Sequence, residues 1–269
     1  MEFIEGELVF YTQRLGSDFT SIEIAPISDA HFGDPLFSLH HFEKTLKFLD
    51  APNHFGILNG DLLNFAIEGS KSNIYREIKK PQDQRDWMID RLKPYAKKLL
   101  GMTTGNHEDR IKALDTSADI AKALNIPYRA TGVLLKIMFG KGNNRHPEKP
   151  YVYWCYFSHG YGGARTKSAK AIKVERVASW IHADFYVISH DHVVNVAPDI
   201  YLMPDNRTHV DKNGFEIGKI TAHRKMLIKS NAYIKWGGYS EMGGFPPVDL
   251  ETPIIKLAGQ GKPRVNVEI

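Results

Sequence analysis

The sequence has a single cysteine, Cys155, in 269 residues. That excludes a disulfide framework and a thiolate-built zinc cluster, each of which needs several cysteines. No stretch approaches the roughly twenty uninterrupted apolar residues of a membrane-spanning helix, and there are no internal repeats or low-complexity tracts. The amino-terminal residues Met1-Glu2-Phe3-Ile4-Glu5-Gly6-Glu7 are acidic and lack the basic n-region of a secretory signal. The expectation is a soluble, cytoplasmic protein with no membrane partner. Charge of one sign is also in short supply: 35 Lys and Arg against 31 Asp and Glu leave +4. This mild excess favours phosphate ligands but falls short of a dedicated nucleic-acid binder.

What is present is a globular composition, 42 % apolar and 25 % charged, in a chain that can form one domain over residues 1–269 around one core. Segments with one apolar helical face alternate with apolar runs. Residues 37–49 align Phe42, Leu46 and Leu49. Residues 83–99 align Trp87, Leu92 and Leu99, and Pro94 is expected to kink or divide that helix. Further helices are expected over 109–124 and over 167–181, the latter with Ile172, Val177 and Ile181 inward. Strand, helix, strand, helix order argues for α/β layering. Beyond His192 the pattern changes to short strands and turns, among them Asp211-Lys212-Asn213-Gly214, which reads as the second half of a β-sandwich with a late loop over 236–247.

Five of the apolar runs, at 21–27, 55–59, 99–104, 151–157 and 185–188, are rich in β-branched and aromatic residues and bounded by glycine, as buried strands are. Each leads into polar residues of metal-ligand type. In order these are Asp29 and His31, then Asp61, then Asn106, His107 and Glu108, then His159, then His190 and His192. In layered α/β architectures the loops at the carboxyl ends of strands gather at one edge, where ligands bind. Two divalent cations about 3.5–4 Å apart need a shared anionic bridge and further nitrogen and oxygen donors. Without thiolates, the set suits Mn, Fe, Zn or Ni.

Taken together, Asp-x-His, Gly-Asp, Gly-Asn-His-Glu, His and His-x-His, in that order over more than half of the chain, resemble the calcineurin-like metallophosphoesterase superfamily. The resemblance implies an α/β (α+β) fold, a four-layer α/β/β/α sandwich of two mixed β-sheets flanked by helices. A binuclear metal site would lie at the carboxyl ends of the strands. It implies two divalent ions, Mn in first place. Asp29, His31 and His192 would hold one, Asn106, His159 and His190 the other, and Asp61 would bridge. Water activated between the cations would attack phosphorus in line. His107 would contact the phosphate or protonate the leaving oxygen, and Glu108 would orient either the loop or His107.

Each motif alone has a plainer reading. Asp-x-His after a strand is often a turn or a helix cap, Gly60-Asp61 can be a turn, and Gly-Asn-His-Glu can cap a helix. Together, in order and at strand ends, they favour the metal site. The chain also departs from the family pattern. Leu62-Leu63-Asn64-Phe65 follows Asp61 where a second Asp and a phosphate-binding Arg are common. Ser189 stands where Gly is usual, and Asp191 separates the two histidines.

The expected substrate is a phosphate ester, with nucleic acid first and a nuclease as the leading reading. A phosphatase or phosphodiesterase for small nucleotides or phosphoproteins is the alternative, and a non-catalytic scaffold of the same fold a second one. Arg165, Lys167 and Lys170, with Lys173, follow His159 and its Gly160-Tyr161-Gly162-Gly163 loop, and are candidates for contacting backbone phosphates. Arg76, Lys79, Lys80 and Arg85 form a second basic group between the Asp61 and Asn106 motifs. Either group can equally be a solvated helix face. Phe32, Phe65, Tyr161, Trp236 and Tyr239 are candidates for base stacking or for packing. A homo-oligomer is compatible with outward-facing helices.

Overall fold

The computed structural model describes residues 9–70, 72–143, 146–163, 166–238, 241 and 246–269. Eleven strands among them form two sheets. They are β1 (Tyr11–Arg14), β2 (Ser21–Ile27), β3 (His54–Asn59), β4 (Leu99–Thr103), β5 (Val133–Phe139), β6 (Tyr151–Ser158), β7 (Phe185–Ile188), β8 (Asn195–Val210), β9 (Glu216–Lys229), β10 (Ile254–Ala258) and β11 (Val265–Glu268). The five-stranded sheet has the order β11-β10-β2-β3-β4 and the six-stranded sheet β1-β5-β6-β7-β9-β8. Both are mixed: β2, β3 and β4 run parallel while β10 is antiparallel to β2 and β11, and β6, β7 and β9 run parallel while β8 is antiparallel to β9 and β5, itself parallel to β1, is antiparallel to β6.

Side chains alternate across each strand, and their partners define the layers. Ile22, Ile24, Phe55 and Ile57 of one sheet meet Val133, Leu135, Phe157, Val187 and Ile228 of the other to form the central core. On the outer face of the five-stranded sheet, Ile27, Leu58 and Met102 pack against α1 (Leu39–Phe48), α2 (Pro81–Leu92) and α3 (Thr116–Leu124). On the outer face of the six-stranded sheet, Tyr186, Ile188 and Leu227 pack against α4 (Lys167–Ala178). The four layers are therefore the α/β/β/α order that the motifs imply. No helix among the described residues is long and apolar enough to cross a membrane.

The helices are shorter than their apolar periodicity suggests. Pro94 divides the second one: α2 ends at Leu92 and a 3-10 turn follows over Lys93–Lys98. The third starts only at Thr116, where the Asp115 side chain accepts from the Ala118 amide at 3.0 Å. Upstream of it lies only a 3-10 turn over Glu108–Arg110, because the Glu108 side chain is drawn inward to the loops below. In α4 the inward face carries Lys170, Lys173, Val174, Val177 and Ala178, while Ile172, expected in the core, is 45 % exposed. After His192 the chain forms two long strands, β8 and β9, joined at the 211–214 turn, and then the expected short ones as β10 and β11.

Candidate metal centre

Every sequence-derived ligand leaves the carboxyl end of a strand. Asp29 and His31 follow β2, Asp61 follows β3, Asn106 follows β4, His159 follows β6, and His190 and His192 follow β7. Three of these strands lie in one sheet and two in the other, so the loops close over one end of the sandwich. Two glycines permit the close approach. A Cβ on Gly105 would sit 2.1 Å from the Asp61 Oδ1, and Gly60, with φ of +79°, has no room for one beside the Gly105 amide.

Glu108 ties these loops together. It is buried, and its carboxylate accepts from the amides of Asp61 at 2.9 Å, Leu63 at 2.9 Å and Gly105 at 3.0 Å. Of the two expected roles, it orients the loop and not His107. Burial, and then the nearby Asp61 charge, push its pKa up to about 7. Asn59, which sequence reasoning missed, spans the sandwich. Its Nδ2 donates to the Ser158 carbonyl at 3.0 Å and to Ser189 Oγ at 2.5 Å, fixing the β6 and β7 ends to β3.

The sequence-derived ligand atoms converge in two groups, and His31, Asp61 and His107 form a third that overlaps both. In the first, His31 Nε2 lies 3.1 Å from His192 Nε2, and Asp29 Oδ1 lies 3.2 Å from His192 Nε2 and 3.8 Å from His31 Nε2. In the second, His159 Nε2 lies 3.1 Å from Asp61 Oδ2 and 3.2 Å from both Asn106 Oδ1 and His190 Nδ1. Asp61 Oδ2 is also 3.9 Å from His31 Nε2, which places this one oxygen between the groups.

Proton positions follow from the outer contacts of the rings. His159 Nδ1 donates to the Asn59 carbonyl at 2.9 Å and His190 Nε2 to the Gly162 carbonyl at 2.6 Å, so the inward nitrogens of the neutral rings carry lone pairs. Asp29 Oδ1 is buried without a hydrogen bond, while Oδ2 accepts from the His190 amide at 3.1 Å. Lone pairs aimed at a common point repel unless a cation lies there, and this donor set fits two divalent ions with nitrogen and oxygen ligands. The field agrees. Burial opposes the charged forms of Asp29 and Asp61, yet His159 and the neighbouring histidines hold both well below the usual carboxylate range. Burial likewise opposes protonation of His159, but Asp61 and Asp29 outweigh it and push its pKa up to about 10. Without metal, a proton takes up part of the charge that the site demands.

Backbone strain is concentrated on the same residues. Asp29, His31, Asp61, His190 and His192 all have φ between +48° and +72°. Among the described non-glycine residues only Phe65 and Asn125 share that region. Such conformations cost of order 1–3 kcal/mol each and persist where the surrounding structure enforces them, typically at functional sites.

His107 stands beside this centre. Its amide donates to Asp61 Oδ1 at 2.7 Å, and its ring Nδ1 donates to the Asn64 carbonyl at 2.7 Å. Arg110 then donates to His107 Nε2 at 2.8 Å and to the Asn64 carbonyl at 2.8 Å. Burial, against the pull of Asp61 and helped by Arg110, brings the ring's pKa down to about 4. So held, the ring keeps its proton on Nδ1 towards the Asn64 carbonyl and accepts from Arg110 at Nε2. Arg110, which follows the Asn-His-Glu motif, supplies a cation that the sequence after Asp61 lacks.

The basic residues after His159 divide. Lys167 is exposed at the start of α4, and Arg165 lies outside the described residues, as does Tyr239. Lys170 is only 3 % exposed and donates to the Asp191 carbonyl at 2.9 Å, so a polymer cannot reach it. The expectation of Lys170 as a substrate contact is corrected accordingly. Lys173 and Lys229 each lie 2.6 Å from one oxygen of Asp191, which makes the residue between the two histidines an internal anchor.

No protein-family model matches the chain, and no curated protein does. Among solved structures it is similar to Vps29 of Chaetomium thermophilum, with 11 % identity, 93 % of this chain and 96 % of that one covered, and a TM-score of 0.39. It is similar to a conserved uncharacterized protein, a predicted phosphoesterase, from Streptococcus pneumoniae, with 10 % identity, 93 % and 99 % coverage, and a TM-score of 0.39. A metallophosphoesterase from Sphaerobacter thermophilus shows 12 % identity, 87 % and 83 % coverage, and a TM-score of 0.34. At such identities and scores the likeness carries no weight of its own. The functional reading rests on the site.

Proposed function

We propose that the protein is a binuclear metal-dependent phosphoester hydrolase and that its substrate is a nucleic-acid phosphodiester. The observation that carries the reaction class is Asp61 Oδ2, which faces both groups of converging donors, with Asp29, His31, Asp61, His190 and His192 held at positive φ around it. Asp29, His31 and His192 would hold one ion, Asn106, His159 and His190 the other, and Asp61 both. Bound there, two divalent cations supply Lewis acidity and bring the pKa of a water molecule towards neutrality. Manganese is the first choice for these donors, with Fe, Zn and Ni sharing them.

The chain's own contribution is charge placement. Arg110 NH2 sits 2.8 Å from a ring nitrogen that is itself 3.9 Å from Asp61 Oδ2, so the guanidinium flanks the centre. We assign it to the non-bridging oxygens of the phosphate, where a planar fork of donors binds best. His107 holds it there, and together they would stabilise the negative charge on the phosphoryl oxygens in the transition state.

The polymer reading is supported by the segment beside Arg110. Ser72 lies 3.3 Å from the guanidinium, and Glu77 bonds Asn64 and Gln84, which fixes residues 72–80 against the site. That segment presents Tyr75, 95 % exposed, with Arg76, Lys79 and Lys80 in solvent. An exposed ring for base stacking among cations for phosphates suits a single strand. The site is also open, with Asn106 exposed, whereas small-molecule sites are mostly enclosed.

The test offers metal-stripped protein, reloaded with Mn, Zn, Mg or nothing, a generic monoester, a generic diester, and single- and double-stranded DNA and RNA. Metal-dependent cleavage of nucleic acid supports the proposal. Cleavage of monoesters alone would assign a phosphatase, and no turnover with both ions bound would assign a binding scaffold.

A further inference from the structure

β8 and β9 leave the sandwich as a two-stranded arm. Their bases belong to the core: Val196, Met226 and Ile228 face the other sheet, and Leu227 faces α4. Beyond the bases every residue of β9 from Glu216 to Arg224 is exposed. The register continues unbroken from Val196 opposite Ile228 to Leu202 opposite Ala222 and Pro204 opposite Ile220. Alternation then places Ile200, Leu202, Pro204, Ile220 and Ala222, with Arg224 opposite Ile200, on the face that, at the base, forms the central core. Past the sandwich that face has no cover: Ile200 is 64 %, Leu202 65 % and Ile220 69 % exposed.

An isolated two-stranded ribbon is marginally stable in water, and exposed apolar stripes of this kind mark association surfaces. We infer that the arm is a homodimerisation element whose apolar stripe packs on the same stripe of a second copy of this chain. Two features select that occupant. Charge on the arm is mixed, with Arg207, Lys212, Lys219 and Arg224 against Asp205, Asp211 and Glu216. Such balance complements itself under a two-fold axis and offers little to a polyanion. Finally, β8 carries Pro198 and Pro204, which lack N–H donors, so its free edge is a poor template for an added strand and the stripe's face is the surface left for association.

This inference is independent of the proposed chemistry. Sedimentation equilibrium of the full chain is expected to give a dimer of the 30.5 kDa protomer. The variant Leu202→Glu with Ile220→Glu should weaken the dimer on the order of a hundredfold, because two central apolar contacts become buried charges. Thr221→Glu, on the opposite face, should leave it intact. Circular dichroism melting checks that each variant folds, and an exposed site predicts unchanged far-ultraviolet spectra. A wild-type chain that stays monomeric at its solubility limit overturns the inference, whatever else binds the arm. A dimer that survives the double substitution overturns it equally, and a loss of dimer caused by Thr221→Glu alone would move the interface to the other face.

Discussion

Lys229 Nζ lies 2.6 Å from Asp191 Oδ2, with both side chains out of solvent. Lys173 takes the other carboxylate oxygen and Lys170 the carbonyl, so three lysines grip the residue that separates His190 from His192. Both histidines have positive φ, a conformation that the turn would not hold unaided. Replacing Asp191 by Ala should destabilise the metal-free protein by about 3–5 kcal/mol, because two ammonium groups lose their counter-charge in the interior. Metal affinity should fall with it. Urea unfolding and calorimetric metal titration read the two effects, and unchanged values in both would remove the anchoring role.

Asp61 is the group on which the two-ion reading depends. Its Oδ1 accepts the His107 amide at 2.7 Å, leaving Oδ2 for both clusters. Asp61→Asn keeps the shape but removes the charge. Metal analysis after equilibration should find both ions lost or the pair broken to one weakly held ion. A variant that keeps two tightly bound ions would show that the bridge lies elsewhere.

His107 and Arg110 form a unit, so their effects should not add. Arg110→Ala is expected to lower kcat by about 10²–10³, the scale for removing one donor to developing charge, while metal content stays near that of the wild type. Once Arg110 is gone, His107→Ala should lose little more, which a double-mutant cycle on kcat will show. Additive losses would mean that His107 acts on substrate by itself.

The convergence of the candidate ligands was legible because each follows an apolar run directly, and strand ends in layered folds gather at one edge. The same local logic misled at Lys170 and Lys173. Helical spacing marks them only as cations near a ligand, while their counter-charge, Asp191, is distant in sequence and becomes visible only when α4 packs on β7. Arg110 was hidden for a similar reason: its partner Asn64 lies on another loop. The arm was obscured by Pro198 and Pro204, which signal breaks in a central strand but are tolerated on an edge. The helix expected from residue 109 fails because Glu108 answers to three loop amides and not to a helical turn.

If residues 72–80 guide a nucleic-acid strand, their substitution should separate polymer from chemistry. Tyr75→Ala with Arg76, Lys79 and Lys80 changed to Gln should weaken single-strand binding and flatten its dependence on salt concentration, since fewer counterions are released. Stacking contributes about 1–3 kcal/mol per base, so Tyr75→Ala alone should be measurable. Cleavage of a small diester should be unaffected, because these exposed side chains lie outside the ligand cluster. Equal losses on both substrates would place the segment in the reaction itself.

Metal removal should leave the protein folded but less stable. Ions that bind only the native state add RT ln(1 + [L]/Kd), about 2.7 kcal/mol per site at a hundredfold excess over Kd. A low Kd is expected here, since the ions would satisfy Asp29 Oδ1, buried without a hydrogen bond. Thermal unfolding of chelator-treated and Mn-loaded protein should therefore differ in midpoint, and the gap should grow with metal concentration. The Asp61→Asn variant should lose most of the gap, because its native state no longer offers the shared oxygen. A midpoint that ignores metal in the wild type would mean that the inward donors are satisfied by protons alone, His159 first among them, and the two-ion reading would fall.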